Sequence, residues 1–372
     1  MKKKIISLVL ATVLAVGCLA GCGSSNTTSG KGYEIALITD KGNIDDKSFN
    51  QGSWEGVLAY TEKNNITHQY YKPEEASDEG YFNAIKLAVE GGAKVIVCPG
   101  YLFEAAVYSA QTQFPDVKFV LLDGEPHTPD YVTYETKSNT ACIMYAEEEA
   151  GYLAGYAAVV DGCTILGFEG GMAVPAVVAF GYGYLQGIEA AATDLGLADG
   201  SVKVFYHYTG DFAETDANKA VASAMAASGA QVIFGCGGSV GKSVFAATSE
   251  ANIKSIGVDV NQKADSDTVI TSAMKGLGAS VEAVLDSIYT DKFDTYAGKT
   301  TYFTAANDGV GLPDDFERFT TFDKATYDKV YATLADGTVD PIRSFEITDA
   351  AAVTAEQLQT ELGLKKVVVE IR

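Results

Sequence analysis

The stretch EIALITDKGNIDDKSFNQGSWEG, residues 34–56, decides the fold class because it joins a buried strand to a helix through a polar loop. Residues 33–39 are mostly apolar and lead into Asp40, and residues 47–64 carry apolar side chains near helical spacing. A short apolar run followed by an amphipathic helix is typical of a parallel sheet, whose strands need crossover connections. We therefore expect Asp40 at the carboxyl end of the first strand.

The same alternation continues and then starts again, which predicts two similar halves. The further predicted strands are 68–71, 94–98, 118–122, 163–167, 202–208, 232–236, 254–258 and 365–371, and the further predicted helices are 80–90, 102–113, 175–195, 215–228, 240–251 and 322–334. Right-handed crossovers of this kind produce parallel sheets with helices on both faces. We predict an α/β protein whose two halves repeat an order of elements rather than a sequence.

Length, charge and arginine content limit the ligand and the partners. A chain of 372 residues suits two domains. A net charge of −22 argues against nucleic acid and anionic lipid as partners. The only arginines are Arg318, Arg343 and Arg372, all late in the chain. Because bidentate capture of phosphate or carboxylate normally uses arginine, we expect an uncharged, hydroxyl-bearing ligand.

The N-terminus has the features of a bacterial lipoprotein signal. A basic start and an apolar run over 5–16 lead to LAGC, which resembles a lipobox. We expect residues 1–21 to be a signal peptide, Cys22 to be lipidated, and residues 23–32 to form a flexible tether. The alternative is an ordinary secretory signal with an incidental cysteine. Either way the protein is expected outside the cytoplasm, and with a lipidated Cys22 it is anchored to the cell membrane.

The remaining cysteines and the glycine-rich segment indicate neither a metal nor a nucleotide site. We expect Cys98, Cys142, Cys163 and Cys236 to be buried free thiols, since the chain has no C-x-x-C. The segment CGGSVGKS, residues 236–243, misses the spacing of a phosphate-binding loop by one position. It predicts a glycine-rich turn that approaches a ligand closely. No cofactor and no metal are predicted.

Three predicted strands end on aspartate, at Asp40, Asp123 and Asp259. In open α/β sheets ligands bind beyond the carboxyl ends of the strands, so these carboxylates would line one cleft if the halves face each other. The alternative is that each caps the following turn. Ser48 and Gln51 fit a capping box at the next helix, with Asp46 as the competing cap.

The residues at this cleft resemble those of a known family. The segments DKGNIDDKSFNQGSWEG, VLLDG, GGMAVPAVVAFGYGYLQG, FGCGGSVG, IGVDVNQ and VITSAMKG occur in order within residues 33–312. This pattern resembles the basic membrane protein family, the PnrA-like nucleoside-binding lipoproteins of ABC importers. One departure is Asn261, where the family often has a second aspartate.

The resemblance implies a type I periplasmic-binding-protein fold, with two doubly wound parallel-sheet lobes joined by a three-strand hinge. Lobe 1 would comprise residues 33–150 and about 271–305, and lobe 2 about 151–270 and 306–372. The lobes would close on a purine nucleoside such as guanosine, inosine or adenosine. The sequence does not indicate which of the three is preferred.

The resemblance also assigns roles to individual residues. Phe49 would stack on the base, Asp123 would read the base edge, and Asp259 and Lys275 would hold the ribose hydroxyls. The residue pattern leaves open that Phe49 and Phe180 are core residues and that Lys275 is solvated near the hinge. The complete set of expected ligand-binding residues is Asp40, Ser48, Phe49, Asn50, Asp123, Phe180, Gly237, Gly238, Asp259 and Lys275.

The function implied is capture of a purine nucleoside and its delivery to the permease and ATPase subunits of an ABC importer. A ligand-sensing lipoprotein that signals to a membrane receptor, or a binding protein for another neutral ligand such as a sugar, remains an alternative. An enzyme is not expected. A nucleoside hydrolase would need a base or metal to activate water, and the chain has three histidines and no tight aspartate cluster.

Overall fold

The computed structural model describes residues 32–372. The predicted signal peptide, Cys22 and the tether up to residue 31 lie outside the described residues. Within residues 32–372, no helix combines the length and the apolar character needed to cross a membrane.

The first sheet is parallel throughout and has the strand order β11-β5-β4-β3-β1-β2. Its four inner strands are buried on both faces, as their nearly continuous apolar runs predict, whereas the two edge strands are partly exposed. The elements up to the first crossing are β1 (Ile35–Ile38), α1 (Phe49–Asn64), β2 (His68–Tyr71), α2 (Asp78–Glu90), β3 (Val95–Pro99), α3 (Glu104–Gln113), β4 (Lys118–Leu122) and β5 (Thr140–Tyr145).

The second sheet has the order β12-β10-β9-β8-β6-β7-β13, and only β12 runs antiparallel to its neighbour within the described chain. Helices cover both of its faces. Its first elements are α4 (Glu147–Val160), β6 (Ile165–Gly170), α5 (Pro175–Asp194), β7 (Val202–Tyr208), α6 (Asp216–Ala227), β8 (Val232–Cys236), α7 (Val240–Ala251), β9 (Lys254–Asp259) and β10 (Val269–Lys275).

The chain passes between the two sheets three times in the described residues, which gives the molecule its hinge. The last elements are α8 (Leu277–Tyr289), β11 (Lys299–Phe303), β12 (Val310–Gly311), α9 (Lys324–Ala335), α10 (Ala355–Glu361) and β13 (Val367–Ile371). The crossings lie at Ala146, at Gly276 and at residues 304–309, because α4 packs on α5 whereas α8 packs on α1. The α/β fold with two parallel-sheet lobes is confirmed. The four cysteines predicted to be buried free thiols are buried and unpaired.

Helices α4 and α5 pack so closely that their contact requires glycine. A Cβ at Gly183 or Gly187 would lie 2.0 Å from the carbonyl oxygen of Glu148 or Tyr152. Gly151 and Gly155 face α5 in the same way, with a Cβ 2.2 Å from a carbonyl oxygen. This contact sets the position of the first turn of α4, which lies next to the cleft.

We expect Gly187→Ala to lower the free energy of unfolding by about 3 kcal/mol, because the added methyl group has no room beside Tyr152. The matched control is Gly241→Ala in α7, whose Cβ would meet the Phe245 ring at 3.5 Å and the Gln262 side chain at 3.9 Å, both ordinary van der Waals distances. That variant should lose no stability, since alanine is the better helix former. Urea unfolding measures both, and equal midpoints would contradict the packing argument.

Glu169 on β6 is a fully buried carboxyl group whose two oxygens have no hydrogen-bond partner among the described residues. It lies between Gly235 on β8 and His207 on β7. Burial raises its pKa to about 8. The folded protein therefore holds a proton between about pH 4.5 and 8 that the unfolded chain releases.

It follows that Glu169 makes the protein less stable as the pH rises through this window, by up to about 1.4 kcal/mol per pH unit. Glu169→Gln should remove that slope and raise the melting temperature at pH 8 while changing little at pH 4.5. Glu370→Gln, on the edge strand two positions from β6 in the same sheet, is the control and should keep the slope. If the free energy of unfolding changed with pH in the same way for Glu169→Gln and wild type, Glu169 would ionise in the folded protein as it does in the unfolded chain.

Candidate functional site

The carboxyl ends of strands from both sheets meet at one cleft. Asp40 follows β1 and Asp123 follows β4, while Asp259 and Lys275 end β9 and β10. All four line one cavity, whose empty space together with its open mouth is about 730 Å³. Of the ten expected binding residues, nine line this cavity, and the tenth, Ser48, donates its hydroxyl to Asp259 at the cavity wall. Two halves that face each other therefore bring together side chains far apart in sequence.

Lys275 is the cation at the centre of the cleft, and its side chain is only 2% exposed. Its Nζ lies 2.5 Å from Asp123 Oδ2, 3.0 Å from Glu147 Oε1 and 3.9 Å from Asp259 Oδ1. Burial alone would lower the pKa of Lys275, but the three carboxylates raise it above its ordinary value. The alternative that Lys275 is solvated is wrong.

Asp123 lines the cavity and has one carboxylate oxygen that is not used. Its backbone has a positive φ of 56°, and its Oδ1 is buried without a partner in the part of the chain that the structure describes. Burial raises the pKa of this carboxyl group to about 7, although the Lys275 ammonium opposes the shift. Asp259 likewise has a positive φ, of 65°, and burial raises its pKa.

The loop before α1 is held by Asp46, and this corrects the predicted capping box. Asp46 Oδ1 accepts hydrogen bonds from the backbone amides of Ser48 at 2.8 Å and Gln51 at 3.1 Å. The hydroxyl of Ser48 caps nothing and instead donates to Asp259 Oδ2 across the cleft. Asp46, the competing cap, is favoured because it reaches several amides at once, which leaves Ser48 free to contact the other lobe.

Asn50 lines the cavity, but its side-chain amide group is already hydrogen-bonded to other residues of the protein. Its Nδ2 donates to Asp40 Oδ1 at 2.7 Å and to Asp46 Oδ2 at 2.8 Å, and its Oδ1 accepts from the Asp40 amide at 3.0 Å. Asn50 thus fixes the orientation of the Asp40 carboxylate. Burial raises the pKa of Asp40 to about 6, and the Asn50 hydrogen bond limits the rise.

Aromatic rings from both lobes border the same cavity. Phe49 belongs to lobe 1 and Phe180 to α5, and Lys275 Nζ lies 4.6 and 5.4 Å from their ring centres. Phe180 also packs edge-on against Phe234 and is 2% exposed, so it is both a core residue and part of the cavity wall. Phe212 is a third ring that sequence analysis missed.

The glycine-rich turn after β8 brings backbone to the cavity wall. Gly237 and Gly238 have positive φ angles of 130° and 51°. A Cβ at either position would lie 3.2 or 3.3 Å from Phe212. Glycine is therefore needed both for the conformation and for the approach of this ring.

Two further residues of the site were not found from sequence. Glu147 begins α4, is fully buried, and bridges Lys275 to Arg343, whose Nη2 lies 2.6 Å from Glu147 Oε2. An apolar run over residues 140–145 followed by three glutamates was the available signal for this strand and helix start. The residues that line the cavity in the described chain include no arginine, but Arg343 contacts Glu147 on the side away from Lys275.

The arrangement suits a ligand with a flat ring and several hydrogen-bond donors. Carboxylates outnumber cations at the cavity wall, and Asp123 has a free acceptor oxygen. Among residues 32–372, no group of three or more histidine, cysteine or acidic side chains could hold a metal ion.

Comparison with known proteins assigns the family. The family model described as "ABC transporter substrate-binding protein PnrA-like" matches residues 34–336. The chain belongs to this family. It is 30% identical over 340 residues to the ABC transporter nucleoside-binding protein BmpA of Lactococcus lactis, covering 84% of this chain and 92% of that protein.

Two further proteins are similar to this chain. A lipoprotein of Pyrococcus furiosus is 28% identical over 275 residues, covering 71% of this chain and 66% of that protein. A solute-binding protein of an ABC transporter from Aeropyrum pernix has the same fold, with a TM-score of 0.74 at 20% identity, covering 88% of this chain and 98% of that structure. This PnrA-like protein is thus an ABC transporter substrate-binding protein with the fold of periplasmic solute-binding proteins.

Proposed function

We propose that this protein captures a purine nucleoside in the cleft and delivers it to the permease of an ABC importer. The observation that carries the proposal is the convergence of Asp123, Asp259 and Lys275 with aromatic rings in one cavity. The name of the Lactococcus lactis relative, a nucleoside-binding protein, supports the same ligand class. The family supports a transporter permease as partner, and the ATPase subunits are part of this proposal.

Each part of a nucleoside has a matching group in the cleft. The base stacks on Phe49, with Phe180 or Phe212 on its other side, and an N–H of the base edge donates to Asp123 Oδ1. The ribose hydroxyls donate to Asp259 and accept from Lys275. Stacking contributes roughly 1–3 kcal/mol per base and a hydrogen bond to a charged group about 1.5–3 kcal/mol. After ordering costs, these terms allow micromolar to nanomolar affinity.

The same carboxylates disfavour a phosphorylated ligand. A 5′-phosphate would enter a cavity with an excess of buried negative charge, and no arginine lines its wall in the described residues. Like charges in a desolvated site are strongly repelled. A nucleoside is therefore preferred to its nucleotide.

The proposed location is the outer side of the cytoplasmic membrane, with the protein anchored through a lipidated Cys22. The lipobox-like LAGC motif supports this location, and a relative from Pyrococcus furiosus is named a lipoprotein. Metabolic labelling with a palmitate analogue tests it, and Cys22→Ser should abolish the label.

A thermal-shift panel of purine nucleosides, free bases, nucleotides and pentoses tests the ligand class. A ligand present at 100 times its dissociation constant adds about 2.7 kcal/mol to the free energy of unfolding. We expect guanosine, inosine or adenosine to raise the melting temperature, and their 5′-monophosphates and ribose to leave it unchanged. A shift with a nucleotide or a pentose but with no nucleoside would refute the proposal.

Nucleoside affinity should fall as the pH is lowered from 8 to 5. The pKa of Asp123 is raised to about 7 and that of Asp40 to about 6. Protonation of Asp123 removes an acceptor that the ligand uses, and protonation of Asp40 removes a second negative charge from the cavity wall. Binding favours the ionised forms, so the dissociation constant for inosine should be at least roughly tenfold higher at pH 5 than at pH 8. Isothermal titration measures it, and a constant affinity over this range would mean that neither carboxylate contacts the ligand.

A further inference from the structure

The segment at residues 340–347, here called the C-terminal strap, lies beyond the part of the chain matched by the family model. It is fixed to α5 at two points. The backbone of Ile342 exchanges two hydrogen bonds with the Gln186 side chain, at 2.8 and 2.9 Å. The Phe345 ring stacks on Tyr182 with ring centres 4.8 Å apart and planes within 3°. Arg343, between these points, is held against the start of α4.

Arg343 makes three contacts at the hinge. Its Nη1 donates to the carbonyl oxygen of Tyr145 at 2.6 Å and to Glu148 Oε2 at 2.7 Å. Its Nη2 lies 2.6 Å from Glu147 Oε2, and the other oxygen of Glu147 lies 3.0 Å from Lys275 Nζ. The Arg343 guanidinium, the Glu147 carboxylate and the Lys275 ammonium thus form two linked ion pairs that run from the strap to the cavity.

The charges explain the role of these linked ion pairs. Among the described residues, Lys275 is the one cation that lies within 4 Å of all three buried carboxylates, Asp123, Glu147 and Asp259, and Arg343 touches Glu147 alone of the three. A buried carboxylate without its own cation is costly, so Glu147 alone would compete with Asp123 for the ammonium. Because Arg343 neutralises Glu147 from behind, Lys275 stays available to the residues at the cavity wall.

We infer that Arg343 is a positioning residue for the ligand cleft, acting through Glu147 to hold the Lys275 ammonium between Asp123 and Asp259. The identity of the ligand in this inference rests on the proposed function. The charge coupling itself does not, because it is present in the protein without ligand. A purely structural role for Arg343, as an anchor of the strap, makes different predictions.

Asp123 is the natural reporter of this coupling. The ionisable groups that face it are Lys275 from β10, Glu147 from α4, Asp259 from β9 and the hydroxyl of Tyr145 from β5. The guanidinium of Arg343 lies behind them and also acts on Asp123. Loss of this positive charge should make Asp123 harder to ionise.

The test compares Arg343→Met, Arg343→Lys and the double variant Glu147→Gln/Arg343→Met with wild type. In ligand-free protein, carbon-13 NMR follows the titration of the Asp123 carboxyl group, and calorimetry then measures inosine binding. Arg343→Met should raise the Asp123 midpoint by about one pH unit and weaken inosine binding about tenfold. The double variant should restore both nearly to wild type, because the carboxylate that competes for Lys275 is removed and Glu148, which also loses Arg343, does not pair with Lys275. Arg343→Lys should be intermediate.

Arg318→Met is the matched control, since Arg318 donates to the carbonyl oxygens of Ser266 and Val269 and touches none of these carboxylates. It should change neither the midpoint nor the affinity. Wild-type values in Arg343→Met, or a double variant as impaired as the single one, would overturn the inference and leave only an anchoring role. If wild type binds no purine nucleoside, the proposed function fails, while the ligand-free titration still decides the role of Arg343.

Discussion

Replacement of Lys275 by methionine should abolish nucleoside binding and lower the free energy of unfolding by about 3–5 kcal/mol at pH 7. The reason is that Asp123, Glu147 and Asp259 would lose the cation they share. The loss of stability should shrink at pH 5, because protonation of the carboxyl groups relieves their repulsion. Urea unfolding at the two pH values and calorimetry with inosine measure these effects.

Lys324→Met is the control for this variant. Lys324 pairs with Asp314 and Asp328 at the exposed start of α9, where ion pairs contribute little. It should change neither the urea midpoint nor inosine binding. Retention of inosine affinity in Lys275→Met would show that the buried ammonium is not part of the ligand site.

Asp259→Asn should weaken inosine binding by about 1.5–3 kcal/mol, which is roughly tenfold to hundredfold. Asparagine has nearly the same shape and tolerates the positive φ of this position, so the change removes mainly the charge. The expected loss comes from weaker acceptance of a ribose hydroxyl and from the altered contact with Ser48. Calorimetry at pH 7.5 measures it.

The matched control for Asp259→Asn is a substitution at Asn261, two residues further along the chain. Asn261→Asp makes the opposite exchange at an exposed position, where the one hydrogen bond of the side chain to the described residues is accepted from the Lys263 amide. It introduces the aspartate that the family often has and should leave the affinity unchanged. If both exchanges altered binding equally, net charge at the cleft rim rather than direct contact by Asp259 would be the cause.

The fold was predictable because its signals are local. The apolar runs of β4 and β8 and the helical pattern of α7 predict those elements with the bounds that the structure has. The placement of Asp40, Asp123 and Asp259 at strand ends follows from the same runs. Their shared cleft follows from the rule that parallel sheets bind ligands at the carboxyl edge.

The parts of the site that sequence analysis missed depend on partners distant in the chain. Glu147 and Arg343 are 196 positions apart, and nothing near either one predicts their ion pair. Ser48 fits a local capping box, but its hydroxyl donates to Asp259, 211 positions away. A tertiary contact thus replaced the local one, and Asp46 took over the cap.

A crystal structure of the protein grown with inosine tests the central claim most directly. We predict density for one nucleoside in the cleft, with its base stacked on Phe49 and its ribose hydroxyls within hydrogen-bond distance of Asp259 and Lys275. A nucleoside bound elsewhere, or a cleft without inosine at a saturating concentration, would contradict the account.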